Sequence, residues 1–440
     1  MRAEVDCFSR RRADNAEGIE ANMKVLVIGT LDTKGPECAY LAERIRAYGA
    51  DAIVLDSGIL GDAIGIRPDI TREEVARAAG FQLDEIRATG SRGRAVARML
   101  AGVRAITVRL AAEGAIDGVV SLGGAEGSVI AAAAAQALPL GFPKLIVTPI
   151  ASGHRRFGPF VGTRDVMLMH SVVDILGLNS VALEIFDNAA ASIAGMAKAH
   201  AARRHAPVRP ARTEVAATML GNTTLPLMRI RERLAARGVE LVLFHANGVG
   251  GEAMEEFIEA GRFDAVIDYT MSEIAAEVAG GFHRSRRERP VAAGARGIPQ
   301  VVVPGCPDFA VFGARHEVPE AMRSRPLYEH NPEFTLVRLT REEEVEVARR
   351  LAARLVCARG PVSLVVPLGG MSISDAPGGV FRDEPISAAF HAELRRGVSG
   401  SAHVTVREID AHINDDAFAD AVLDELCPYL SLPTRGPNDE

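Results

Sequence analysis

The sequence predicts an α/β protein built from two tandem domains of related design, with mainly parallel sheets and a cleft between the domains. Three features predict it. Short unbroken apolar runs such as Val25-Leu26-Val27-Ile28 recur along the chain, the pattern of strands buried on both faces. Each run is followed by glycine and polar residues and then by a helical pattern, which is how βα units read. The second half also repeats the order of the first: strand, Gly, polar turn, helix, Gly, strand over Val215 to Phe244, as over Val25 to Leu55.

The totals fit this picture. At 440 residues the chain is long enough for two or three domains of about 150 residues. An apolar content of 48% supplies their cores. A net charge of −7 with no basic tail argues against nucleic acid as the main partner. Trp is absent and aromatics are 5%, so base-stacking platforms are not expected either. No apolar run reaches the roughly 18 residues of a membrane helix, and residues 1–22 lack the apolar core of a secretory signal. The five cysteines are scattered, with no CxxC spacing. That predicts a reducing, cytoplasmic setting and no structural zinc.

Taken in order, residues 1–22 show no periodicity and read as a disordered leader or an upstream start. The first domain is assigned to 23–202. Its opening strand ends at Gly29, and a helix is expected from Pro36 to Tyr48, since proline suits a first helical position and Gly49 a C-terminal cap. A second strand, Ala52 to Leu55, ends in Asp56-Ser57-Gly58. Thr71 and Glu74 have the spacing of a capping box. Val96, Met99, Leu100, Val103, Ile106 and Leu110 mark one face of a long helix stopped by Gly114. The strand Gly118 to Leu122 leads into Gly123-Gly124-Ala125-Glu126-Gly127-Ser128 and an Ala-rich helix from Val129 to Leu138. A fourth strand, Lys144 to Thr148, and a last helix, Leu183 to Ala201, complete the domain. Two prolines and several arginines make 203–212 a linker by composition.

The second domain is assigned to 213–435. Its strands are expected at Val215 to Leu220, Val239 to Phe244, Ala265 to Ile267, Thr335 to Leu339, Ser363 to Pro367 and Val404 to Glu408, and Gly297 to Pro304 echoes Gly141 to Val147 of the first domain. Arg341 to Cys357 reads as an amphipathic helix with acids in its first turn.

Ligands of open α/β sheets bind beyond the carboxyl ends of the strands, so the turns there are the candidate sites. The turn Gly29, Thr30, Asp32, Thr33 and Lys34 is polar and opens a helix, whose free N–H groups and dipole favour an anion. Three further turns are glycine-rich: Gly123-Gly124 with Gly127 and Ser128, Gly248-Val249-Gly250-Gly251 with Glu252, and Gly369-Gly370 with Ser372. Glycines let backbone N–H groups close around an anion, although tight helix–strand packing needs the same residues. Neither GxxxxGK[ST] nor GxGxxG occurs. Ser152 and Gly153 end another strand. Arg164 suits a phosphate or an internal pair with Asp165. In the second domain His245, Asp268, Asp375 and His412 stand beside strand ends, with His330 near another, as acid–base candidates. No GxSxG or HExxH appears.

The segments VLVIGTLDTKGPE, VVSLGGAEGS, PKLIVTPIASG, VGTRDVMLMHSVVDILGLN, FHANGVGGEAME, GIPQVVVPGCPDFAVFG, EHNPEFTLVRLT, SDAPGGVFRDE and EIDAHIND resemble, in order from about Met23 to Leu430, the Tm-one-like ATP-binding family. This is the family of the tomato mosaic virus resistance protein. The resemblance implies two Rossmann-like domains, ATP binding assisted by Mg²⁺, and self-association as a homodimer or higher homo-oligomer. It maps the nucleotide onto Gly29 to Lys34, Gly123-Gly124 and Ser152-Gly153. One departure stands out. Where the family commonly reads GGSGGT, this chain places Glu126, a carboxylate that repels phosphates unless Mg²⁺ bridges.

The leading expectation is thus a cytoplasmic nucleotide-binding protein. The alternative is a metabolic enzyme acting on a small acid or sugar acid in the interdomain cleft, with His245, Asp268, Asp375 and His412 as its acid–base set. A partner-capturing module is the third, and the sequence leaves open whether any reaction is catalysed.

Overall fold

The computed structural model describes residues 23–151, 158–204 and 212–430. The chain divides near Val208 into two units.

The first unit is a five-stranded, wholly parallel sheet in the order β2-β1-β3-β4-β5. The strands are β1 (Lys24–Gly29), β2 (Asp51–Asp56), β3 (Gly118–Leu122), β4 (Lys144–Thr148) and β5 (Met167–His170). The side chains of β1 alternate between two cores. Val25 and Val27 pack with α1 (Leu31–Ala47), while Leu26 and Ile28 pack with α2 (Arg92–Ala112) and α3 (Ala125–Gln136). The last helix, α4 (Ser180–Arg204), covers the α1 face through Phe186, Ala190 and Ile193. Strand order reverses beside β1, so α1 leaves β1 toward one face and α3 leaves β3 toward the other. A crevice at the carboxyl ends follows from that divergence.

The second unit has a six-stranded parallel sheet in the order β14-β13-β9-β8-β6-β7. Its strands are β6 (Glu214–Met219), β7 (Glu240–His245), β8 (Ala265–Thr270), β9 (Gln300–Gly305), β13 (Val362–Pro367) and β14 (Val404–Ile409). From the β7 edge, the unit's second strand comes first, then its first, third, fourth, fifth and sixth. This is the order of the first unit with one strand added. Helices α5 (Thr224–Ala235) and α10 (Asp416–Leu426) cover one face. The other face carries α6 (Val249–Glu259), α7 (Ser272–Ala279), α8 (Arg341–Leu355) and α9 (Glu384–Val398).

Several boundaries differ from the sequence expectation, each for a tertiary reason. Helix α1 begins at Leu31 rather than Pro36: the Asp56 carboxylate of β2 accepts the Leu31 N–H at 3.1 Å, and Lys34 N–H bonds to Thr30 O at 2.8 Å. Lys34 then breaks the helix (φ −127°, ψ 18°), so Pro36 lies just past a kink. Helix α3 starts at Ala125, which puts Gly127 and Ser128 in its first turn. β5 was not expected, because a four-residue strand ending in His170 leaves too short an apolar run to stand out. α4 runs into the proposed linker. The segment expected at Thr335 to Leu339 forms β12 (Phe334–Arg338) of a separate antiparallel sheet, β10-β12-β11, with β10 (Phe309–Phe312) and β11 (Leu327–Asn331). A short apolar run does not reveal which sheet it joins. The Thr71–Glu74 capping box is present. No helix among the described residues is long and apolar enough to cross a membrane.

Candidate functional site

In the first unit a cleft of 770 Å³ opens at the carboxyl ends of β1 and β3, where the strand order reverses. Three helix starts line it: Thr30 to Lys34 of α1, Ser91-Arg92 of α2, and Gly124 to Gly127 of α3. They are not equivalent. At α1 the protein supplies its own anions. Asp56 Oδ1 takes the N–H groups of Leu31 and Gly58, and Asp32 Oδ2 takes that of Gly61. Burial holds the Asp56 carboxyl above its usual range against these hydrogen bonds. At α3 no acceptor among the described residues meets the backbone N–H groups of Gly124, Ala125, Glu126 and Gly127. A Cβ built on Gly124 would meet nothing within 4 Å. The Glu126 carboxylate is turned to Arg92, whose Nε lies 2.9 Å from Oε2. One wall is apolar, formed by Ile59, Leu60, Ala95 and Ala125. The 57–61 loop is fixed by Arg87, itself a cleft residue, which donates to the carbonyls of Ile59 and Leu60 at 2.7 and 3.2 Å.

Of the residues singled out in the sequence, Thr30, Asp32, Thr33, Lys34, Gly124 and Gly127 line this cleft. Gly29, Gly123 and Ser128 do not. A Cβ on Gly29 would meet Cys38 Sγ at 2.4 Å, and one on Gly123 the Gly127 Cα at 2.8 Å, so both serve close packing. Ser128 is buried, its Oγ 2.7 Å from Gly124 O and 2.6 Å from Thr148 Oγ1, where it ties the turn to β4. Ser152 and Gly153 lie outside the described residues. The residues that sequence reasoning missed, Gly58 to Leu60 and Arg87 to Arg92, come from the long connection between β2 and β3. Its only signal was the Asp56-Ser57-Gly58 strand end.

The second unit's glycine turns are filled. The Gly248–Gly251 turn holds Glu273, whose Oε1 accepts the N–H groups of Gly248 (2.5 Å) and Gly251 (3.2 Å). A Cβ on Gly250 would lie 2.0 Å from His245 O. Glu273 in turn pairs with Arg289, which also pairs with Asp268; all three are fully buried. Asp268 is therefore a central-strand residue of β8 locked to Arg289, and Thr218 Oγ1 donates to it at 2.7 Å. Nearby Glu255 accepts the Val291 and Ala292 N–H groups, and burial pushes its carboxyl up to about 7.

The Gly369-Gly370 turn is likewise occupied, by Asp375, whose Oδ2 accepts the Met371 N–H at 2.9 Å. A Cβ on Gly369 would lie 2.6 Å from the Ala411 carbonyl carbon. His412 bonds through Nε2 to Ser372 O at 2.9 Å and accepts the Asn414 N–H at Nδ1. Asp375 and His412 thus meet around one turn, whereas Asp268 sits with Arg289 and His245 is exposed at the end of edge strand β7. His330 lies in β11 of the antiparallel sheet. A second buried charge cluster joins that sheet to the main one. Ser372 Oγ donates to Asp308 Oδ2 at 2.7 Å, and Arg338 pairs with Glu344 and donates to the Asp308 carbonyl at 3.0 Å. Burial, only partly offset by Arg338, raises Asp308 to about 6 and Glu344 to about 7. Cys306, beside this cluster, is buried and adopts φ 55°. Among the described residues no three His, Cys, Asp or Glu side chains gather as a metal site.

Two doubly wound α/β units, one with an open strand-end cleft and one with its turns filled from within, define the class. The chain belongs to the uncharacterised protein family UPF0261, whose N-terminal domain matches residues 23–202 and C-terminal domain residues 212–430. It is 38% identical over 405 residues to a UPF0261 protein of Clostridium tetani, covering 92% of this chain and 98% of that one. It is 36% identical over 400 residues to one of Rhizobium meliloti, covering 91% and 97%. The tomato mosaic virus (ToMV) susceptible protein tm-1 of Solanum lycopersicum is 31% identical over 420 residues, 92% of this chain but 55% of the tomato protein. Among solved structures, the Streptomyces glycosyltransferase SsfS6 complexed with thymidine diphosphate aligns over 93% of this chain and 100% of that one, with TM-score 0.19 and 14% identity. A likeness that low carries no argument about this chain's chemistry.

Proposed function

We propose that the first unit binds a phosphorylated ligand of the nucleotide type, ATP by family resemblance. The phosphates would lie against the start of α3, and the rest of the ligand along the apolar wall of the 57–61 loop. One observation carries this reading: the residues Gly124 to Gly127 line an open cleft at the strand-order reversal, and their amides have no acceptor among the described residues. The hydroxyls of Thr30 and Thr33, 3.0 Å apart at the rim, and the Asp32 carboxylate suit sugar hydroxyls. Mg²⁺ fits as a companion of the phosphates rather than as a resident ion. Asp32 and Glu126 are the cleft's carboxylates among the described residues, already engaged by Gly61 N–H and Arg92, and Mg²⁺ is commonly held by phosphate oxygens and water. The acid–base enzyme reading finds less support, since Asp268 is sealed from solvent by Arg289.

Calorimetric titration with ATP and Mg²⁺ tests the proposal, with Gly124→Leu as the control that fills the cleft. The open surroundings of Gly124 let the added side chain enter without a clash at Cβ. The expected result is saturable heat for the natural protein and at least a roughly tenfold loss in the variant, as for blocked anion contacts of 1.4 kcal/mol or more. Absence of heat and of a thermal shift at millimolar ligand refutes it.

A further inference from the structure

Lys34 joins the cleft to a second feature, the loop 171–179 between β5 and α4. It lines the cleft, and its ammonium donates to the Ile175 carbonyl of that loop. One turn further along α1, Glu37 Oε1 accepts the Gly177 N–H at 2.6 Å, while its Oε2 is buried without a partner among the described residues. Two α1 side chains thus hold the loop by its backbone. The loop itself is under tension. Val172, β-branched, adopts φ 62°, and the Val173 N–H closes on Ser171 O at 2.6 Å, the left-handed γ-turn that backbones rarely take. Ile175 is buried as an anchor, but Val172, Leu176 and Leu178 are exposed, Leu176 to 72%. Lys34 sits at the kink of α1, where its backbone is already non-helical.

We infer that Lys34 is a ligand-responsive latch: a phosphate in the cleft draws its ammonium away from the Ile175 carbonyl and releases the strained loop 171–179. The inference rests on the cleft binding a phosphorylated ligand. A carbonyl is a weaker partner for an ammonium than a phosphate oxygen, because charge-assisted bonds between two ions are the stronger. Release of a loop held in a sparsely populated conformation is downhill for its backbone. Cleft occupancy is in this way reported to the exposed apolar residues of loop 171–179.

Hydrogen exchange of residues 173–178, read with and without ATP and Mg²⁺ in parallel with calorimetry, tests this. In the natural protein, ligand is expected to speed exchange of these amides roughly tenfold, as for loss of one hydrogen bond to a charged group. Lys34→Met is expected to show the fast exchange without ligand and no further change with it. Lys34→Arg, which keeps the cation, should restore slow exchange in the absence of ligand. Binding heat with unchanged loop exchange in the natural protein overturns the latch while leaving the cleft reading intact, and so does an equal response to ligand in Lys34→Met. Absence of heat overturns the cleft reading and the latch with it.

Discussion

The two units share a strand order and differ in what their glycine turns hold. In the second unit each turn has closed on an internal carboxylate: Glu273 in Gly248–Gly251 and Asp375 beside Gly369-Gly370. In the first unit Asp56 does the same at α1, but the start of α3 stays open beneath Gly124. Helix starts attract anions whatever their source. A folded chain meets that demand either with its own side chain, which makes a scaffold, or with a ligand, which makes a site. The second unit took the first course so fully that an arginine had to be buried to balance the acids.

That contrast breaks most visibly at Arg289. Arg289→Met leaves Asp268 and Glu273 buried without their cation, and should destabilise the second unit by about 3–5 kcal/mol. Chemical denaturation followed on that unit measures the loss; an unchanged midpoint would show the cluster to be idle. Next comes a matched pair of glycines. Gly369→Ala drives a methyl against the 411–412 backbone and should cost about 1–3 kcal/mol, the range for overpacking a filled site. Gly124→Ala should cost under about 1 kcal/mol, its Cβ having open space and glycine being only a modest helix cap. Equal costs would erase the distinction between filled and open turns.

The acids of the second unit give the comparison a pH dependence. Glu255 and Glu344, raised to about 7, and Asp308, raised to about 6, bind protons more tightly folded than unfolded. Their contribution is fully present below the unfolded carboxyl values near 4 and is lost as pH rises through the folded values. The second unit should therefore lose stability between about pH 4 and 7, and Glu344→Gln should flatten that slope in denaturation curves taken across the range. The smallest effect is expected at Glu126→Gln. Removing a negative charge beside the α3 amides, and freeing Arg92, should tighten ATP binding a few-fold, most clearly without Mg²⁺, since exposed pairs are worth only about 0–1 kcal/mol. Calorimetry at two magnesium concentrations reads it.

The parallel strands were legible because burial on both faces writes itself as an apolar run: Gly118–Leu122 and Lys144–Thr148 fall where the sequence placed them. The Thr71–Glu74 cap was legible because its partners are three residues apart. β12 was read as a strand but not as part of a separate antiparallel sheet, since a run of Thr, Leu and Val does not name its neighbour. The cleft was half legible. Thr30 to Lys34 and Gly124 carry a local signature, whereas Arg87, Ser91 and the 57–61 loop arrive from a long connection marked only by its Asp56-Ser57-Gly58 start.

By itself the sequence determined the α/β class, the alternation of strands with helices and the positions of the glycine turns, because periodicity, caps and backbone freedom act over a few residues. Only the tertiary structure decided which of those turns closed on a carboxylate from elsewhere in the chain and which stayed open. Glu273 reaches Gly248 across 25 residues, and Asp56 reaches Leu31 across the same separation. Whether a helix start is a scaffold or a site depends on such a distant partner, and no local pattern encodes where it will land.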